Sequence, residues 1–323
     1  MDVWTLSDLC TPWCVHVVAT LGIADCILAG NAEIGPLAAS AGADRDSLYR
    51  VLRHLVSKGI FEEPAPGRFA LNEAARGLLE GPVRLGLDLD AFGGRMAYAW
   101  GTLLSAVRSG RPAYHEVFGC GFWEDLDAHP QIAESFDALI GPAGHGTPDW
   151  RVLVDPADWD SVRTVVDVGG GTGALLAEIL RARPEVRGTL VDLPRTVARS
   201  RGIFQAAGVA DRVTAVGQSF FDPLPGGSDL YIVKGVLSDW PDREATAILR
   251  RCAEAARPSG RVVVFNGAGP GEAAQPELLM MALVGGRDRT LEELWGMARE
   301  VGLEVTAVGR QASGRVIVEC RPG

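Results

Sequence analysis

Apolar residues recur along this chain with two different spacings. In residues 1–160 they recur at helical spacing, which predicts a mostly helical first half. From residue 164 onward, short apolar runs alternate with helical stretches. These runs predict strands at 164–168, 189–192, 213–216, 230–234 and 261–266, and then a terminal hairpin at 305–309 and 315–319. The alternation indicates an α/β fold with a mainly parallel, Rossmann-like sheet that binds its ligand at the carboxyl ends of the strands.

A compact helical module is predicted between residues 34 and 71. One helix covers 35–41, and a second begins after the N-cap Asp44 and ends at Lys58. Two short β segments then flank a turn at 64–67, which completes a winged helix-turn-helix pattern. The second helix carries four basic residues, as a DNA-reading helix would: Arg45, Arg50, Arg53 and Lys58. Binding to DNA and a structural, dimerising role are therefore both open for this module.

Composition decides between these two roles. The chain has 323 residues, 47% of them hydrophobic, a net charge of −10 and a pI near 5.1. This charge argues against binding to nucleic acid or to anionic membranes, so the dimerising role is favoured. The first residues lack the basic stretch of a signal peptide, and no apolar run approaches ~20 residues. We expect a cytoplasmic homodimer that binds neither nucleic acid nor membrane.

The hydrophobic pattern divides the chain into three predicted regions. Residues 1–92 form a dimerisation and winged-helix-like domain, and residues 93–160 form a helical linker that contributes to a substrate pocket. Residues 161–323 form the Rossmann-like catalytic domain. In the middle region, four apolar residues recur at the spacing of a buried helix face: Trp100, Leu103, Leu104 and Val107.

The six cysteines are scattered through the sequence. Cys10 and Cys14 are four residues apart in a predicted helix, but no histidine or cysteine near them in the sequence completes a metal-binding pattern. We therefore expect reduced, buried cysteines and no metal site.

The candidate chemistry begins in the stretch from Val165 to Gly173, with the sequence VVDVGGGTG. An apolar strand ends in an acid and several glycines, and a helical pattern follows at once. Glycines let the backbone approach a ligand closely, and the amide groups at the start of the helix favour an oxygen-rich ligand. A second acid, Asp192, ends the next strand 19 residues after Gly173, close to the spacing at which an acid reaches a ribose hydroxyl. The pattern predicts an adenosine-containing cofactor.

Glycine spacing alone leaves the cofactor open. Gly169, Gly171 and Ala174 also satisfy the dinucleotide pattern G-x-G-x-x-A, so a nicotinamide dinucleotide is an alternative. Asp167 precedes the first glycine, where it suits a ligand that bears an ammonium group. The turn also lies in the middle of the chain, behind a long helical region. Both features favour a different adenosine-containing cofactor over a dinucleotide.

Six motifs in the same order resemble those of class I S-adenosylmethionine-dependent O-methyltransferases of bacterial secondary metabolism. This group acts on polyketide phenols, naphthoates and anthracyclines, and the resemblance covers nearly the whole chain. The first three motifs are VDVGGGTG at 166–173, LVDLP at 190–194 and SFFDPLP at 219–225. The others are YIVKGVLSDW at 231–240, ILRR at 248–251 and GGRDRT at 285–290.

The resemblance implies a role for each matching residue. Asp167, Gly169 and Gly171 would line the methionine end of the cofactor, and Asp192 would take the ribose hydroxyls. Four further residues would contact the adenine or lie close to the cofactor: Leu193, Ser219, Phe220 and Lys234. For Phe221, plain core packing is favoured over a ligand contact. Four apolar residues are candidates for the substrate pocket: Trp100, Trp123, Ile140 and Trp240.

The catalytic positions depart from the family pattern. Many members have a histidine where this chain has Ser238, and a glutamate where it has Asn266. The histidine is the general base in those members, and an unaided serine hydroxyl cannot replace it at neutral pH. Ser238, Asn266 and His145, which lies in a glycine-rich segment, are the candidate catalytic residues.

Three explanations for this departure are open. Positioning of the substrate alone can drive methyl transfer, His145 can serve as the base, or the fold can use the bound cofactor for hydroxylation, decarboxylation or a pericyclic reaction. We favour an O-methyltransferase acting on a hydroxylated aromatic or polyketide-derived compound, with S-adenosylhomocysteine as product. The sequence leaves the substrate and the methylated atom unnamed.

Overall fold

The computed structural model describes residues 2–141, 156–266, 274–310 and 316–323. The chain forms two compact units. The first consists of Met1–Tyr98 with His129–His145, and the second of Ala99–Ala128 with Gly146–Gly323. The middle region predicted at 93–160 therefore contributes residues to both units.

The first unit is helical, with one small hairpin. Its helices are α1 Val3–Leu6, α2 Cys10–Thr20, α3 Ile23–Leu28, α4 Ile34–Ser40, α5 Arg45–Ser57, α6 Glu73–Arg76, α7 Gly81–Leu87, α8 Phe92–Ala99 and α12 Pro130–Ile140. Strands β1 Glu62–Ala65 and β2 Arg68–Ala70 pair antiparallel. Asp44 caps α5 by accepting a hydrogen bond from the Ser47 amide at 2.9 Å, as the sequence predicts. Val18, Leu37, Leu52 and Phe69 belong to the core that joins α2, α4, α5 and the hairpin.

The second unit begins with three short helices, α9 Leu103–Ser109, α10 His115–Phe118 and α11 Phe122–Ala128. Its strands are β3 Thr164–Val168, β4 Arg187–Asp192, β5 Val213–Gly217, β6 Leu230–Lys234, β7 Arg261–Asn266, β8 Leu303–Arg310 and β9 Val316–Pro322. Its later helices are α13 Ala174–Ala182, α14 Pro194–Ala206, α15 Asp242–Ala256, α16 Ala274–Leu283 and α17 Leu291–Glu300. Helix α17 begins with the capping box of Thr290 and Glu293 that the sequence predicts.

The seven strands of the second unit form one mixed sheet in the order β5-β4-β3-β6-β7-β9-β8. Strands β3 to β7 pair parallel, whereas β9 runs antiparallel to both β7 and β8. Neighbouring residues of β3 enter different cores because side chains alternate along a strand. Val166 packs into one cluster with α15, and Val165 packs into another with α13. Strand β3 is therefore buried on both faces, as the centre of the predicted α/β fold requires.

Some expectations about burial were wrong. Leu104 and Val107 of α9 are 60% and 65% exposed, and the small Thr102 and Ala106 are buried instead. The spacing indicates an amphipathic helix, but it does not show which face is covered.

All six cysteines are free thiols, yet only Cys252 and Cys320 are buried. Among the described residues, no helix is long and apolar enough to cross a membrane.

Candidate active site

The strand order reverses beside β3, because β4 pairs with one of its edges and β6 with the other. In open α/β sheets a ligand crevice forms at the carboxyl ends of the strands where the order reverses. The acid-and-glycine turn follows β3 at this point, and Lys234 ends β6. The turn is held to β4 by the Gly169 amide, which donates a hydrogen bond to the Val191 carbonyl at 2.8 Å. Fold and sequence motif therefore place the candidate site in the same crevice.

The glycines of this turn have two different structural roles. A Cβ atom at Gly170 would lie 2.4 Å from Oδ2 of Asp167, and one at Gly173 would lie 2.3 Å from the Phe204 ring. Those two positions have no room for a side chain. At Gly171 nothing lies within 4 Å of the Cβ position, and φ is +61°. This glycine leaves open space beside the backbone, where a ligand can approach closely.

Asp192 connects the ends of β3 and β4. Its Oδ2 accepts a hydrogen bond from the Gly171 amide at 2.8 Å, and its Oδ1 accepts one from the Leu193 amide at 2.7 Å. Two backbone donors fix the carboxylate beside the open space at Gly171. A carboxylate held in this way is suited to accept hydrogen bonds from a diol such as a ribose.

Asp167 is buried at the end of β3, with 1% of its surface exposed. Its Oδ2 accepts no hydrogen bond from any described residue. Burial raises the pKa of this carboxyl to about 7, the nearby Lys234 opposes that rise, and Asp192 adds to it. A cationic ligand group beside Asp167 would stabilise its ionised form. The position and chemistry of this acid therefore fit a ligand that carries an ammonium group.

Aromatic side chains border the crevice. The Phe220 ring lies 3.4 Å from the Cβ position of Gly169, directly beside the turn. Ser219, the residue before it, accepts a hydrogen bond from the Phe221 amide at 3.2 Å. Phe221 stands edge-on to Trp240, with ring centroids 4.9 Å apart, and packs against the core. Core packing is the role favoured for Phe221 from the sequence.

Two of the four predicted pocket residues come together. Trp123 and Trp240 stack with their ring centroids 5.7 Å apart and an interplanar angle of 14°. Trp100 is half-buried in the one-turn helix Trp100–Thr102. Ile140 ends α12 in the first unit and is 45% exposed. The roles of all four residues in a substrate pocket stay predictions.

Ser238 lies in the short 3-10 helix Leu237–Asp239, just beyond β6. The glycine-rich segment before α17 packs directly on this helix, because a Cβ atom at Gly286 would lie 2.0 Å from the Ser238 carbonyl oxygen. The buried Arg289 donates hydrogen bonds to the carbonyl oxygens of Leu237, at 2.6 Å, and Trp240, at 2.7 Å. These contacts fix the backbone on both sides of Ser238.

The same packing brings together two carboxyl groups that sequence reasoning missed. Burial raises the pKa of Asp239 to about 7, and the charge of Asp288 adds to the rise. A carboxyl with a pKa close to neutrality is suited to general acid–base chemistry. Both acids belong to motifs quoted from the sequence, but only the fold shows that they are neighbours. Of the other catalytic candidates, His145 and the side chain of Asn266 lie outside the described residues.

Comparisons with known proteins identify the family. Residues 100–304 match the O-methyltransferase domain, and residues 4–81 match the O-methyltransferase dimerisation domain. The chain is 40% identical to 2,7-dihydroxy-5-methyl-1-naphthoate 7-O-methyltransferase of Streptomyces carzinostaticus, over 94% of this chain and 92% of that protein. It is also 37% identical to aclacinomycin 10-hydroxylase of Streptomyces purpurascens, over 94% of this chain and 83% of that protein.

A solved structure extends the comparison to the fold. It is an O-methyltransferase from neocarzinostatin biosynthesis, in complex with S-adenosylmethionine and 2-hydroxy-5-methyl naphthoic acid. The TM-score is 0.92 at 39% sequence identity, and the match covers 100% of this chain and 99% of that chain. The two domain matches lie in their expected order, and the chain belongs to the O-methyltransferase family.

Proposed function

We propose that this enzyme transfers a methyl group from S-adenosylmethionine to a hydroxyl of an aromatic, polyketide-type small molecule and releases S-adenosylhomocysteine. The observation that carries the proposal is the pair of acids at the ends of β3 and β4, Asp167 and Asp192. One is buried with an oxygen that no described residue bonds, and the other is fixed beside open space at Gly171. Relatives that act on or bind naphthoates support the substrate class.

Each residue of the crevice would have its own role toward this cofactor. Asp192 would accept hydrogen bonds from the ribose hydroxyls, and Asp167 would face the ammonium group of the methionine end. Leu193 and Phe220 would enclose the adenine ring, with Ser219 close to its amine. Lys234 would act mainly through its charge, which already opposes the rise in the pKa of the Asp167 carboxyl.

When bound, the cofactor supplies a methyl group on a positively charged sulfur. The residues of this chain would have to bring the acceptor oxygen into line with that group. The stacked Trp123 and Trp240 would offer an aromatic surface to a naphthoate-like ring. Positioning of this kind can lower a reaction barrier by ~7–11 kcal/mol, so a strong base is not required at Ser238.

The hydroxyl proton still needs an acceptor, and we assign that role to Asp239. This acid follows Ser238, in the segment where many relatives have their histidine. Its pKa of about 7 makes it a far better proton acceptor than a serine hydroxyl. Asp288 would raise the proton affinity of Asp239 through its negative charge.

The domain match and the charge of the chain indicate its assembly and its partners. The match to the dimerisation domain over residues 4–81 supports a homodimer. The net charge of −10 supports an enzyme that binds small molecules and not nucleic acid.

A second function is favoured by one specific observation. A relative at 37% identity is named a 10-hydroxylase, and this chain has Ser238 where many relatives have the histidine base. The alternative is an enzyme that keeps the cofactor bound and catalyses a reaction without methyl transfer, such as hydroxylation.

Mass spectrometry separates the two functions. The full-length enzyme is incubated with S-adenosylmethionine and a set of hydroxylated naphthoates. A product that gains one CH₂, with one S-adenosylhomocysteine formed per product, is the expected result. A product that gains oxygen or loses CO₂ while the cofactor remains intact would establish the alternative. If S-adenosylhomocysteine does not bind in calorimetry, both assignments fail.

A further inference from the structure

Three side chains that are distant in the sequence converge in the first unit. Cys10 and Cys14 lie one turn apart in α2, with their Sγ atoms 3.9 Å apart. His54 of α5 completes the group, in which the ligand atoms all lie within 4.8 Å of one another. Around a tetrahedral zinc ion, bonds of about 2.0–2.3 Å place neighbouring ligand atoms roughly 3.3–3.8 Å apart. Small side-chain adjustments would therefore bring the three ligand atoms to coordination distances.

A hydrogen-bond chain holds the histidine ring in place. The Thr11 hydroxyl donates to Oδ2 of Asp8 at 2.6 Å and lies 2.9 Å from Nε2 of His54. Because this hydroxyl gives its proton to Asp8, it accepts one from Nε2–H of His54. In this tautomer a neutral ring would coordinate the ion through Nδ1. Metal-binding histidines are typically supported by outer partners of this kind.

In the single chain the cluster is accessible to an ion from solution. Cys10 is exposed, whereas Cys14 and His54 are half-buried. A thiol must lose its proton when it binds a metal ion. Ions with high affinity for thiolate achieve this, and hard ions such as Mg²⁺ do not.

We propose that Cys10, Cys14 and His54 form a site for one thiophilic divalent ion, Zn²⁺ by the nature of the ligands. With three protein ligands, a fourth position remains for water. The site lies within residues 4–81, the range that matches the dimerisation domain, and it is independent of the proposed reaction. From the sequence no metal site is expected, because His54 is 40 residues from Cys14.

Cobalt(II) is the probe for this site. The full-length protein is reduced, freed of metal and titrated with Co²⁺. The expected result is one ion per chain, with a thiolate-to-cobalt charge-transfer absorption that Zn²⁺ abolishes by displacement. Cys14→Ser and His54→Ala should weaken binding at least ~100-fold, and Thr11→Val should weaken it roughly 10–100-fold. Cys26→Ser, a thiol of the same unit outside the cluster, should leave binding unchanged.

Thermal unfolding provides an independent measurement. Zn²⁺ should raise the Tm of the wild type and of Cys26→Ser, but not that of Cys14→Ser. Cys10→Ser provides a second ligand variant at an exposed position, should Cys14→Ser fail to fold. The proposal is wrong if Co²⁺ binds without a thiolate band, if the ligand variants bind as tightly as the wild type, or if no ion binds at micromolar concentration.

Discussion

At the scale of single residues, the buried carboxyl of Asp167 has opposite effects on folding stability and on ligand binding. Its pKa is raised from 3.8 to about 7 by burial. Below pH 4 the acid is protonated in both the folded and the unfolded state, so it does not lower the free energy of unfolding. Between pH 4 and 7 it ionises only in the unfolded state, so its contribution to stability falls as the pH rises through this window. Above pH 7 the loss is complete.

We expect Asp167→Asn to be more stable than the wild type at pH 8, because the variant has no charge to bury. The gain is up to ~4 kcal/mol, since one pKa unit corresponds to about 1.36 kcal/mol, and it should vanish near pH 4. Urea unfolding at the two pH values measures this difference. The same variant should bind S-adenosylhomocysteine more weakly at pH 8. Asp211→Asn, which replaces an exposed acid, is the control, and an equal gain in that variant would contradict the assignment.

The assignment of Asp239 as proton acceptor separates two neighbouring variants. Asp239→Asn should lower kcat by ~10²–10⁴, the usual contribution of a general base, and should abolish the acidic limb of the pH–rate profile near pH 7. Ser238→Ala should stay within about tenfold of the wild type, a barrier change of ~1.4 kcal/mol. Steady-state kinetics with a hydroxylated naphthoate measures both. A profile that is unchanged in Asp239→Asn would transfer the role to another group.

Only part of this site can be predicted from the sequence. Asp167 and Asp192 are predicted because each ends a strand, and parallel strands bring their ends to one edge of the sheet. The proximity of Asp239 to Asp288 is not predictable from the sequence, because the segments that carry these acids meet only through tertiary packing. The approach of His54 to Cys10 and Cys14 is hidden in the same way.

At the scale of secondary-structure elements, the backbone at Gly286 packs closely against the 3-10 helix of Ser238. A methyl group at this position would lie 2.0 Å from the Ser238 carbonyl oxygen. Gly286→Ala should therefore displace the helix, destabilise the protein by ~1–3 kcal/mol and lower kcat. Gly296→Ala is the matched control, because its Cβ meets open space within α17 and should be neutral or stabilising by ~0.5–1 kcal/mol. Equal effects of the two changes would refute the packing argument.

The correct and the wrong predictions of these elements have a common cause. Each of the five parallel strands lies within two residues of its predicted bounds. Four of them, β3, β4, β6 and β7, are mostly buried, and buried strands are continuous apolar runs between turns. The prediction that Leu104 and Val107 of α9 are buried is wrong, because periodicity depends only on the local sequence. Whether a face is covered depends on the elements that pack against it.

At the scale of the whole molecule, several apolar side chains near residue 1 are exposed in the single chain. Val3, Trp4, Leu6 and Leu9 are between 68% and 88% exposed in the single chain. Buried in a homodimer, they would contribute to an interface of well over ~2,000 Å², as is usual for obligate dimers. We expect the wild type to sediment as a dimer at micromolar concentration and Trp4→Glu with Leu6→Asp to shift it toward monomer. A wild-type monomer at that concentration would exclude this assembly.

The position of β9 between β7 and β8 has a consequence for synthesis of the protein on the ribosome. Strands β3 to β7 leave the ribosome first and can form the cofactor crevice, but β8 cannot join the sheet until β9 has emerged. Until then, the outer edge of β7 presents unpaired backbone groups, which is the arrangement that promotes aggregation between nascent chains. The ligand-binding half of the sheet can therefore form early, while protection of its edge depends on the last strand to be made.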